Sequence, residues 1–177
     1  FDINGNIFAR GGTADSNSCS ATTGNRGNGG SVNITNKNAL LISGSIETNP
    51  GEVAACPDSE YKKSEIYAQK ITGTNVKIAG IINASNITIT GVYGAEDNGN
   101  DAPSTRNLGT NLTINADILN LSSTGVISGR GYTMSDSQAE FSGAGANVVI
   151  TASTIYFDGN ISLDGGDHAG GVSSGNG

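Results

Sequence analysis

The chain has no tryptophan, one histidine, one methionine, three prolines and two cysteines among its 177 residues. A single histidine removes the usual nucleophilic triads and multi-histidine metal sites, and two thiols are too few for a Cys-based zinc site. Cations are scarce too: nine Lys and Arg stand against sixteen Asp and Glu, a net charge of −7. That balance repels phosphate backbones and anionic bilayers, so nucleic acid is not an expected partner. No apolar run approaches the roughly 18 residues of a spanning helix, so membrane insertion is not expected either. Charged residues, at 14%, are too few for disorder driven by self-repulsion. Phe1 opens the chain without a basic-then-apolar leader, which reads as a removed signal or a piece of a longer polypeptide.

What is present is glycine, 27 residues, together with many Asn, Ser and Thr around short Val- and Ile-rich stretches. These stretches alternate apolar and polar residues, the signature of a strand with one buried face, so the fold class is all-β. They also repeat. Gly73-Thr74-Asn75-Val76-Lys77-Ile78, Gly109-Thr110-Asn111-Leu112-Thr113-Ile114 and Gly145-Ala146-Asn147-Val148-Val149-Ile150 recur every 36 residues, and Gly30-Ser31-Val32-Asn33-Ile34 is the same element. Each is followed by an apolar pair (Leu40/Ile42, Ile87/Ile89, Leu119/Leu121, Ile155/Phe157), then by a glycine (Gly44, Gly91, Gly125, Gly159) and a third short strand. The opening Phe1, Ile3, Gly5, Asn6 and Ile7 fall on Ile155, Phe157, Gly159, Asn160 and Ile161, so the chain starts inside one repeat and carries four more.

Three short strands per repeat suit one turn of a three-sided coil, with like side chains stacked in columns. The expected columns are Val32, Val76, Leu112, Val148; Ile34, Ile78, Ile114, Ile150; Leu40, Ile87, Leu119, Ile155; and Ile46, Val92, Ile127, Ile161. Asn75, Asn111 and Asn147 share a repeat position where amides either ladder from layer to layer or simply tolerate a turn.

The pattern Gly-x-Asn-hydrophobic-x-hydrophobic, followed by hydrophobic-x-hydrophobic-x-Gly-x-hydrophobic, resembles the right-handed parallel β-helix of surface adhesins, filament subunits and polysaccharide-degrading enzymes. The resemblance implies one β-solenoid domain over 1–177, whole or cut from a longer array, of about four to five three-sided coils. Long Gly/Ser/Asn-rich loops, near 13–29, 50–72, 94–108 and 131–144, leave from one corner of the coil. Cys19 and Cys56 lie in adjacent loops and suit a disulfide, with a bridge to another subunit or free thiols as alternatives.

Six Asn-x-Ser/Thr sequons, at Asn33, Asn83, Asn86, Asn111, Asn120 and Asn160, are glycosylation candidates, all but Asn83 at outward parity. No two stacked outward positions give the paired carboxylates a polysaccharide-cleaving site needs, and the lone His168 sits in a Gly-rich tail. Glu96 to Asp101 gathers oxygen ligands but fails the EF-hand spacing, leaving Asp97 and Asp101 as the Ca²⁺ candidates and no other cofactor implied.

The expectation is therefore a non-catalytic extracellular structural protein, a subunit or segment of a surface filament, sheath or stalk. It would self-associate end to end by β-stacking, as a homo-oligomer or filament. The alternative is an adhesin module gripping glycans or another cell surface through Tyr61, Tyr67, Tyr93 and Tyr132. Third comes a polysaccharide-degrading β-helix enzyme.

Overall fold

The computed structural model describes residues 1–11, 29–48, 63–94, 111–129 and 145–165. Within them the chain is all-β. Its strands are β1 (Asp2–Ile3), β2 (Ile7–Phe8), β3 (Asn33–Thr35), β4 (Ala39–Glu47), β5 (Lys63–Lys77), β6 (Ala79–Ile89), β7 (Val92–Gly94), β8 (Asn111–Leu121), β9 (Val126–Ser128), β10 (Asn147–Phe157) and β11 (Asn160–Ser162). Every strand pair is parallel. Seven strands, in the order β10-β8-β6-β5-β7-β9-β11, form a sheet that curves 267° round an axis. The sheet nearly closes because β10 and β11, at opposite ends of that order, are separated in the chain by only Asp158 and Gly159.

Alternation explains the strands, and register explains the core. The stretches 1–8, 30–48, 63–78, 79–94, 111–129 and 145–165 lie side by side as layers, each paired in register with the next. One inward column reads Leu40, Ile71, Ile87, Leu119, Ile155; a second reads Ile34, Ile66, Ile82, Ile114, Ile150. A third runs Ile7, Ile46, Val76, Tyr93, Ile127, Ile161. In the middle layers these side chains are sealed from solvent, Leu40 and Ile87 at 1% exposure and Ile82 and Ile114 at 0%. Burial of each contributes about 1.5–3 kcal/mol, which makes the stack itself the source of stability.

Three expectations need correction. First, the stretch 63–72 is not loop: it opens β5, so five layers follow the first instead of four. Ser64, Gln69 and Lys70 give it a loop-like composition, yet Ile66 and Ile71 hold the inward places. Secondly, β6 follows β5 through Ile78 alone, at the register Lys63 to Ala79, so no excursion separates these two layers.

Thirdly, the 36-residue period holds for Asn111 and Asn147, which are register partners, but not for Asn75. Val76 lies in the third column between Ile46 and Tyr93, and Leu112 faces Gly80 instead. Asn75 therefore shares no ladder with Asn111; its amide oxygen accepts from the Val92 N–H at 3.4 Å. The place expected for Val92 belongs to Tyr93 because the short third strand is entered one residue later than the motif suggests.

In the layers 63–78, 79–94 and 111–129, hydroxyls before the short third inward column donate to backbone carbonyls of the preceding layer. Thr74 Oγ1 donates to Gly44 O (2.8 Å), Thr90 Oγ1 to Gly73 O (3.0 Å), Ser122 Oγ to Ile89 O (2.9 Å) and Thr124 Oγ1 to Thr90 O (2.8 Å). The abundant Ser and Thr thus complete the hydrogen bonding where the ladder turns a corner.

Gly80, with φ +132°, is the strained point of the stack, and a Cβ there would fall closer than 3.0 Å to Ser64 O. Gly80→Ala is expected to lower unfolding free energy by about 2 kcal/mol or more in urea denaturation. A loss within error of zero would contradict the register of β5 on β6.

Candidate functional site

Cys19, Cys56, Tyr61, Tyr132, Asp97, Asp101 and His168 lie outside the described residues. The six sequon asparagines all lie within them: Asn33, Asn83, Asn86, Asn111 and Asn160 are exposed, and Asn120 is half-buried. Asn83, at the centre of β6, is exposed like four of the five that outward parity singled out. Among the described residues no three His, Cys, Asp or Glu side chains gather as metal ligands, and no helix is long and apolar enough to cross a membrane.

Two of the four candidate tyrosines can be placed, and they do different things. Tyr67 is half-buried on the outer face of β5, in register between Thr35 and Asn83. It shares Glu65 with Lys63, whose ammonium lies 2.8 Å from the carboxylate. The Lys63 hydrogen bond and charge, with help from Tyr67, hold the Glu65 carboxyl below the usual carboxylate range. Both partners are solvated, so the pair adds little stability.

Tyr93 is not a surface platform. It is fully buried, in line with Val76 and Ile127, and its ring ends against Gly73. A Cβ on Gly73 would fall closer than 3.0 Å to the Tyr93 hydroxyl, so the missing side chain in one column makes room for the oversized one in the next. Among the described residues that hydroxyl has no hydrogen-bond partner.

The surface that departs most from a soluble exterior is the face of the last described layer, 145–165. Ile155 (49%), Phe157 (53%) and Ile161 (42%) point the same way as Leu119, Leu121 and Ile127 beneath them, which are at 1%, 0% and 0%. The difference is position, not composition: no layer of the described residues covers the last one. The opposite end is better sealed, with Ile3 buried and Ile7 half-buried, although Phe1 and Phe8 are exposed. Near that end Arg10 pairs with Glu47 and lies over the Phe8 ring, 4.2 Å from its centroid. The two ends of the described stack are thus unequal. This edge of parallel strands is apolar, is flanked by Asp158 and Asp164 and carries no cation over 145–165.

Burial pushes the Tyr93 hydroxyl far above the ordinary tyrosine pKa of 10.0. The folded state therefore keeps a proton that the unfolded chain gives up, so the stability this linkage carries is intact below pH 10 and falls as pH rises beyond it. Tyr93→Phe is expected to flatten the stability loss between pH 10 and pH 11.5, read by urea denaturation, and to raise stability at pH 7 by about 1 kcal/mol by removing an unpaired hydroxyl. An unchanged alkaline slope would place Tyr93 in contact with water.

Comparison of the chain with protein-family models, curated proteins and solved structures gives no match.

Proposed function

We propose that the chain is a right-handed parallel β-helix with a structural role, a subunit or segment of a filament, sheath or stalk on the outside of a cell, lengthened by layer-on-layer β-stacking. Support for the winding comes from parallel pairing throughout the described strands and from a sheet that curves 267°. Parallel strands joined within one sheet cross over right-handed in about 98% of cases, which gives the hand.

The single observation that carries the function is the open last layer. Its inward columns are half exposed where the same columns one layer down are sealed. A strand edge of this length, with free N–H and C=O groups and an apolar floor, is a liability unless another layer lies on it. Among the described residues the outer faces offer no comparable feature: Leu41, Thr72, Thr88, Asn120 and Tyr156 form one mixed outward column with neither a charge pattern nor an aromatic surface.

Sedimentation velocity with negative-stain electron microscopy tests the role. The wild-type chain is expected to form rods of constant width whose length grows with concentration. Phe157→Asp, at a position already half exposed, is expected to shorten them at least tenfold without lowering the melting temperature of the dispersed protein. Wild-type protein that stays a short monomer at high micromolar concentration would remove the proposal.

A further inference from the structure

We propose that Asn83 is a site of N-linked glycosylation, with the ring of Tyr67 in the adjacent layer as the platform for its first sugar. The inference shares with the proposed function only the placement outside a cell; the stacking of layers plays no part in it.

Transfer of a glycan to an Asn-x-Ser/Thr motif makes two local demands. The asparagine amide has to reach the donor, and the hydroxyl two residues on has to be open to the transferring enzyme. Six such motifs compete, and the structure separates them. At Asn120 the amide is half-buried and the Ser122 hydroxyl is already engaged by Ile89 O at 2.9 Å. At Asn160 the Ser162 hydroxyl donates to Asp164 at 2.7 Å. At Asn86 and Asn111 the amide is exposed, but Thr88 and Thr113 are half-buried within outward columns in register. Two motifs keep both groups in solvent: Asn33 with Thr35, and Asn83 with Ser85.

Neighbours decide between these two. The register partner of Asn33 is Glu65, whose carboxylate lies 2.8 Å from the Lys63 ammonium, so a sugar there meets a charge pair. The register partners of Asn83 are Tyr67 on one side and Asn115 on the other. Tyr67 is half-buried on the outer face, one strand spacing of about 4.8 Å away. Its hydroxyl donates to Glu65 on its own strand, which anchors the ring. A pyranose presents one face of C–H bonds, and an aromatic ring anchored beside the attachment point covers that face. Asn115, half-buried on the far side, supplies an amide for the sugar's polar groups.

The place of the motif in its layer points the same way. Register partners run through Ala84 and resume at Asn86 on both neighbouring strands, so Ser85 sits at a corner where the ladder is interrupted. A bulky group at such a convex corner meets little of the protein beyond its two neighbouring layers. The transfer is a substitution at the anomeric carbon of a sugar carried on a lipid diphosphate. Asn83 Nδ2 forms the new bond to that carbon while its C–O bond to the diphosphate breaks. The diphosphate leaves with the electron pair, and the amide gives up one proton to a base of the transferase.

Glycopeptide mapping of the full chain isolated from its own cells and their medium tests the site. Asn83 is expected to be occupied, and Asn120 and Asn160 bare. Ser85→Ala is expected to abolish the Asn83 glycan and Ser85→Thr to keep it. Enzymatic release of the glycan is expected to lower the melting temperature of wild type and of Tyr67→Phe by more than that of Tyr67→Leu. Should Tyr67→Leu disturb the fold, Tyr67→Thr repeats the comparison. An equal shift in all variants would remove Tyr67 as the platform. Protein found outside the cell with Asn83 bare overturns the inference and leaves the stacking role standing. Protein confined within the cell and unmodified overturns it together with the exterior placement.

Discussion

A layer of this protein has almost no interior of its own. One layer encloses too little volume to exclude water, so Ile82 or Leu119 is buried only because another aliphatic side chain sits about 4.8 Å above and another the same distance below. Parallel hydrogen bonds impose that spacing, and the columns fill it. The two are inseparable: the ladder sets which residues meet, and the fit of those residues fixes the ladder against slipping, since a shift by one residue would turn every apolar side chain outward.

The same constraint governs the exceptions. An oversized side chain is tolerated only where a neighbouring column gives way, as Gly73 does for Tyr93. At Gly44, Gly91, Gly125 and Gly159 a Cβ would crowd a carbonyl of the preceding layer, whereas Thr74, at the same register position, carries one and turns its hydroxyl onto Gly44 O. Ser and Thr at the corners donate to carbonyls of the preceding layer, two of which, Gly73 O and Ile89 O, also accept a backbone N–H. The small-polar composition is therefore the chemistry of a stack that turns corners in few residues.

Much of this was readable in the sequence. Alternation gave the strands of 30–48, 111–129 and 145–165, and the pairs Leu40/Ile42, Ile87/Ile89 and Leu119/Leu121 lie on the inside as expected. The layer at 63–78 was not readable as one: hydrophobic-x-hydrophobic serves all three strands of a layer, so Val76-Lys77-Ile78 matched Leu112-Thr113-Ile114 by motif while occupying a different side. Only the register could tell them apart. Tyr93 was misassigned for a related reason, because an aromatic beside a Gly-rich stretch reads as surface unless the neighbouring column is known to hold a glycine. The contrast between the exposed last layer and the buried Ile3 was not legible, because it depends on what surrounds each end.

The passage from β5 to β6 through Ile78 has a kinetic side. Elsewhere, successive layers are joined by excursions whose closure entropy must be met before any column forms, whereas Lys63 reaches its partner Ala79 within 16 residues. Among the strand pairings of the described residues, β5 on β6 has the smallest sequence separation, and pairing over short separations is the fastest to form.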